Sequence, residues 1–200
     1  MRLRMMAAVV ALGCMTVGSG GAGASNPPEP IRLVPVDGAH WQAKAGLPDR
    51  QGMASQALVL DIGEQAPPEP IHVGVASLRG YVGQPTSALD VVGFAVTQRP
   101  GWIIPCIRIA FTDVEGRAGE VMLHAGSRRD EGVTWTEART GEWTTYATSP
   151  QLPEGTLTAI ELQVEVLDVG EQGPPDPVRV AFDNVQVGTK VWTSAADNGG

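Results

Sequence analysis

Gln56–Val75 reads QALVLDIGEQAPPEPIHVGV, and Gln163–Phe182 reads QVEVLDVGEQGPPDPVRVAF. Aligned without a gap at an offset of 107, the two stretches share 11 of 20 residues. Each is an apolar run, an acidic proline-rich loop and a second apolar run, which is the pattern of two strands joined by a stiffened turn. Pro70 and Pro177 stand at the first residue of a strand, where a missing N–H costs least. The paired prolines before them reduce the entropy of the unfolded chain. Two copies this far apart are too few for a solenoid, so they are two related hairpins inside one domain.

The strand pattern extends outward from these hairpins. Ile160, Leu162, Val164 and Val166 alternate with Glu161, Gln163 and Glu165, giving one core face and one wet face. Further apolar runs at Ile31–Val36, Gln56–Ile62, Ile71–Leu78, Ala88–Thr97, Cys106–Thr112, Glu120–Ala125, Glu142–Thr148, Leu157–Leu167 and Val178–Val187 predict about nine strands. Helical periodicity with caps is absent from the sequence. The expected fold is all-β, an antiparallel two-sheet sandwich. Val178, Val180 and Phe182 share one parity while Val185 and Val187 share the other, so a β-bulge is expected at Asp183-Asn184. The repeat also contains a conflict. Val164 and Val166 align with Ala57 and Val59, which puts the apolar Leu58 and Leu60 on the face opposite the core. One resolution is a strand covered on both faces, with the N-terminal segment as the outer cover.

Arg2, Arg4, the apolar Ala7–Val17 and the small-residue Ala22-Gly23-Ala24 predict a cleaved signal peptide over residues 1–24. The apolar run is shorter than the roughly 20 residues that span a bilayer. Lipid attachment at Cys14 is disfavoured because Leu12 stands where such signals carry Ala or Ser. Residues 25–30 form a proline-rich linker, residues 31–192 the sandwich domain, and residues 193–200 a polar tail expected to be flexible. Without residues 1–24 the chain carries 12 basic and 22 acidic side chains, a net charge of −10. That charge argues against nucleic acid and anionic membranes as partners. It fits the exported, secreted or periplasmic protein that the signal peptide predicts, with solubility alone as its plainer reading. Cys106 then has no intramolecular disulfide partner and is expected as a small buried apolar residue.

The two loops bring six acids, Asp61, Glu64 and Glu69 in one copy and Asp168, Glu171 and Asp176 in the other. If both loops lie at one end of the sandwich, they make an edge for Ca²⁺, which takes 6–8 oxygen ligands, for a sugar, or for a basic protein partner. The other reading is two solvated turns whose acids keep them wet. Five tryptophans outnumber two tyrosines, so stacking on a sugar is considered for Trp102 and Trp135, the better candidates for exposure, while Trp41 and Trp192 flank the domain and seal its edges. Core packing is the ordinary role of each. The three histidines, His40, His72 and His124, lack H-x-x-x-H or Cys/His zinc spacing. No nucleophile elbow or phosphate loop occurs, so a non-catalytic protein is expected.

Trp41, Gly52–Leu60 (GMASQALVL), Gly141–Tyr146 (GEWTTY) and Val180–Val187 (VAFDNVQV) occur in the order seen in jelly-roll carbohydrate-binding modules. Over residues 40–188 the chain resembles those modules and the wider galactose-binding-like sandwiches. The resemblance implies a jelly roll with a structural calcium ligated by Asp183; the other reading of Asp183 is a side chain that caps backbone N–H groups at the bulge. It also implies a secreted bacterial carbohydrate-binding module. The rival expectation is a structural or protein-interaction domain of the bacterial cell envelope, and a more remote one is a polysaccharide hydrolase.

Overall fold

Alternation along Gly155–Val166 makes the backbone of one sheet, and the strands around it follow the expected order. A computed structural model describes residues 29–48, 55–62, 71–97, 101–126, 133–167 and 178–199. The strands are β1 (Arg32–Pro35), β2 (His40–Gln42), β3 (Ala57–Ile62), β4 (Ile71–Arg79), β5 (Val92–Thr97) and β6 (Ile103–Asp113). They continue with β7 (Ala118–His124), β8 (Thr136–Thr140), β9 (Trp143–Thr148), β10 (Gly155–Val166), β11 (Val178–Val187) and β12 (Lys190–Trp192). All nine expected strands are present. The three additional ones, β2, β8 and β12, are short, and β8 is exposed at every residue, so it shows no apolar period. β5 starts at Val92 rather than Ala88 because a 3-10 turn over Thr86–Ala88 precedes it.

Among the described residues all strand pairings are antiparallel and form two sheets. One has five strands in the order β1-β4-β10-β6-β7, and the other runs β2-β3-β11-β5-β9-β8 with β12 added beside β11. Leu58, Leu60, Phe94, Val180 and Phe182 from the second sheet meet Val75, Ile107, Ile109, Leu162 and Val164 from the first in one core. This two-sheet sandwich is consistent with a jelly-roll-like fold.

The strand conflict resolves as double coverage. Leu58 and Leu60 face the main core. Ala57 and Val59 lie on the other side in a second apolar cluster with Ala95, Ala181 and Trp143, covered by Ala45 and Leu47. The cover is therefore the stretch around Ala45 and Leu47, which follows β2. The expected bulge is also present: the β11–β5 register shifts between Asp183 and Gln186. Asn184 takes a φ of 48° there, a left-handed conformation that asparagine tolerates better than most residues. The shift lets Val180 and Phe182 share the core with Val185 and Val187.

Residues 193–199, expected to be flexible from their composition, are tied to the sandwich. The Leu33 N–H donates to Asn198 Oδ1 at 2.7 Å, and Asn198 Nδ2 donates to the Leu33 carbonyl at 3.0 Å. Such an amide satisfies backbone groups that an edge strand otherwise leaves open. Burial alone would raise the Asp197 carboxyl, but hydrogen bonds from the N–H and hydroxyl groups of Thr193 and Ser194 hold it below the usual carboxylate range.

Candidate functional site

Asp183 is 1% exposed, at the bulge of β11. Leu47 N–H and the Ser55 hydroxyl both donate to its Oδ2 at 2.7 Å, and Asn184 N–H donates to Oδ1 at 2.6 Å. Burial pushes the carboxyl up, while these hydrogen bonds pull it down. The arrangement latches the segment carrying Ala45 and Leu47 onto the outer apolar cluster. Gly46 permits the close approach, since a Cβ there would collide with Ser55 Oγ and the Gln56 carbonyl and come within 2.6 Å of Asp183 Oδ2. These donors are what a hydrogen-bonded carboxylate gathers. Ca²⁺ takes oxygen lone pairs, so Leu47 and Asn184 would have to turn their N–H groups away to admit it.

Asp61 is half-exposed and pairs across the strands with Arg179, whose Nε donates to its Oδ1 at 2.7 Å. The Arg179 hydrogen bond is the main cause that lowers the Asp61 carboxyl. Glu64, Asp168 and Glu171 lie outside the described residues. Trp102 is partly buried against the main core. Trp135 is also partly buried there, edge-on to Phe94 and Tyr146 with centroids 6.1 Å away in each case. Trp143 and Trp192 are buried.

The roots of the two acidic loops lie at one end of the sandwich. Ile62, where the first loop leaves β3, pairs with Val178, where the second enters β11. Ile71 and Val166, the remaining two roots, pair with each other. The repeated stretches are not the hairpins expected from sequence, because β3 and β11 belong to the seven-stranded sheet and β4 and β10 to the five-stranded one. Nor is the sequence repeat a strict structural repeat. Duplication of the β3–β11 register would put Val169 opposite Ile71, yet Val166 is there, three residues earlier. An odd offset exchanges the faces of a strand, which is why Leu58 and Leu60 face inward while Val164 and Val166 do.

The two sheets present different outer surfaces. The second apolar cluster covers part of the seven-stranded sheet, on β3, β5, β9 and β11, whereas the five-stranded sheet carries polar side chains. Directly paired residues in antiparallel strands share a face. His72 on β4 is opposite Glu165 on β10. Gln163 on β10 and His124 on β7 are both opposite Cys106 on β6. Cys106 is thus buried on the outward face of this sheet, beside the polar side chains and apart from both apolar clusters.

Arg108 Nε donates to Glu120 Oε2 at 2.9 Å and its Nη1 to Glu161 Oε2 at 3.2 Å. Gln163 Nε2 donates to the same Glu161 oxygen at 2.7 Å. The Glu120 hydrogen bond leads the causes that raise the Arg108 guanidinium. Beside this network is a hollow of about 300 Å³ lined by Asp37, His72, Gly74, Ser77, Glu161 and Gln163. Two acceptors on the face, Gln163 Oε1 and Glu165 Oε2, are buried and receive no hydrogen bond. His124 Nε2 stands 3.6 Å from Glu165 Oε2. Sequence reasoning missed this cluster because its members come from β4, β10 and β7, brought together only by strand order. The outward alternation of Glu161, Gln163 and Glu165 was its one visible trace.

Fold and surface define a two-sheet sandwich with one partly covered apolar face and one polar face. The chain matches no protein-family model, no curated protein and no solved structure.

Proposed function

We propose that the protein is a non-catalytic, carbohydrate-binding-like module of exported type that holds a polar ligand on the outer face of the five-stranded sheet. The observation that carries this reading is the pair of buried, unpartnered acceptors, Gln163 Oε1 and Glu165 Oε2, on that face. A buried acceptor without a donor is costly, and sugar hydroxyls are donors of the required kind. The adjoining hollow, lined by Asp37, Ser77 and Glu161, offers further acceptors to the same ligand. Hydrogen bonding rather than stacking is the basis of recognition here, since Trp102 and Trp135 pack against the core.

A glycan array probed with the full chain, Gln163→Ala and Trp102→Ala tests the proposal. The wild type retains a glycan, Gln163→Ala loses about tenfold in affinity, as expected for one buried hydrogen bond, and Trp102→Ala changes little. Loss confined to Trp102→Ala moves the ligand to the tryptophan. No retained glycan favours a protein-interaction domain of the cell envelope. That second reading is supported by the common end from which both acidic loops spring, an edge suited to a basic partner.

A further inference from the structure

We propose that His72, His124 and Glu165 bind a divalent transition-metal ion of the Zn²⁺ class. One imidazole nitrogen from each histidine and one Glu165 carboxylate oxygen all lie within 4.8 Å of one another. Two imidazoles and a carboxylate are a donor set that Zn²⁺ accepts, with metal–ligand bonds of about 2.0–2.2 Å. Such bonds put neighbouring ligand atoms of a tetrahedral shell roughly 3.3 Å apart. The 3.6 Å from His124 Nε2 to Glu165 Oε2 is already close to that spacing.

Three independent features point to an ion at this place. Strand order is β4-β10-β6-β7, so β7 is two strands from β10, about 10 Å at ordinary strand spacing. His124 nevertheless leans over β6 to reach Glu165. Second, the Glu165 side chain is 13% exposed, and its Oε2 is buried without a hydrogen bond, with the His124 ring at 3.6 Å, a costly state for a carboxylate unless a cation is brought to it. Third, Gln163 Oε1 is another buried acceptor without a donor on the same face, which a metal-bound water would satisfy. The rings of His72 and His124 are 6.5 Å apart and tilted by 43°, so they do not stack face to face.

Three protein ligands leave a fourth position open. An ion here ties β4, β10 and β7 together and presents that position at the solvent side, where His72 is exposed. The inference shares the acceptors Gln163 Oε1 and Glu165 Oε2 with the glycan reading, but it stands on the His72–His124–Glu165 geometry, which that reading does not use. The metal is assayed without glycan, and the glycan array is run on chelated protein, so either can fail alone.

The test is calorimetric titration of the untagged, EDTA-stripped full chain with ZnCl₂, followed by thermal unfolding with and without the ion. One Zn²⁺ binds per chain, and the melting temperature rises by roughly 5–10 °C at a hundredfold excess over Kd. His72→Ala and His124→Ala each weaken binding at least tenfold, since loss even of a supporting group costs about 10–100-fold. Co²⁺ in place of Zn²⁺ gives visible d–d absorption that His72→Ala abolishes. His72 is exposed, so His72→Ala folds and keeps the comparison valid if His124→Ala does not. The absence of Zn²⁺ heat in the wild type overturns the assignment, as does equal binding by wild type and His72→Ala.

Discussion

Phe182→Ala destabilises the protein by about 3–5 kcal/mol, which lowers the melting temperature by roughly 6–20 °C for a chain of this size. Phe182 is fully buried on β11, the strand between β3 and β5. Its ring meets Phe94 edge-on, with centroids 5.6 Å apart at 70°. Phe94 in turn packs with Trp135 and Tyr146. Truncation removes the transfer free energy of the ring and leaves a cavity that β-sheet neighbours on both sides keep from collapsing. Phe182→Leu keeps most of the volume and costs less. Thermal and urea unfolding of the three proteins gives the comparison, and a loss below 1 kcal/mol for Phe182→Ala contradicts this placement of the core.

Asp183→Ala costs about 2–4 kcal/mol by a different route. It strips the acceptor from Leu47 N–H, the Ser55 hydroxyl and Asn184 N–H together. It also frees the segment whose Ala45 and Leu47 cover Ala57, Val59, Ala95 and Ala181. Ser55→Ala removes one donor and costs about 1 kcal/mol. Asp183→Asn also destabilises, because its amide nitrogen must face a donor at one end or the other. The pH dependence has a definite sign. Burial raises the folded-state Asp183 carboxyl above its ordinary value of 3.8, so the folded chain binds that proton more tightly than the unfolded one. The Asp183 contribution is full below the ordinary value and falls as pH rises through the raised one. The gap between wild type and Asp183→Ala is therefore wider at acid pH than at pH 7. A gap that narrows steadily on acidification contradicts the burial of this carboxyl.

The elements that bury an alternating face were legible from sequence, and those that do not were missed. β10 announces itself through Ile160, Leu162, Val164 and Val166, and the phase change after Phe182 announces the bulge. β8 has no buried residue and so leaves no pattern. The partners of Asp183 were hidden for another reason: two are backbone N–H groups, and Leu47 and Ser55 are 136 and 128 residues away. The His72–Glu165–His124 cluster was illegible because it depends on β10 lying between β4 and β6. The repeat came close to revealing part of it. His72 aligns with Arg179, and each faces an acid across its strand pair, Glu165 in one case and Asp61 in the other. The register offset of three residues concealed that correspondence from a gapless alignment.

The most direct test of the central claim is amide chemical-shift mapping with the glycan that the array retains most strongly. Binding on the outer face of the five-stranded sheet perturbs Gly74, Ser77, Arg108, Glu161 and Gln163, and leaves Ala57, Val59 and Ala181 in the outer apolar cluster of the other sheet unchanged. Perturbations that cluster instead at Ile62, Ile71, Val166 and Val178, the roots of the acidic loops, contradict it.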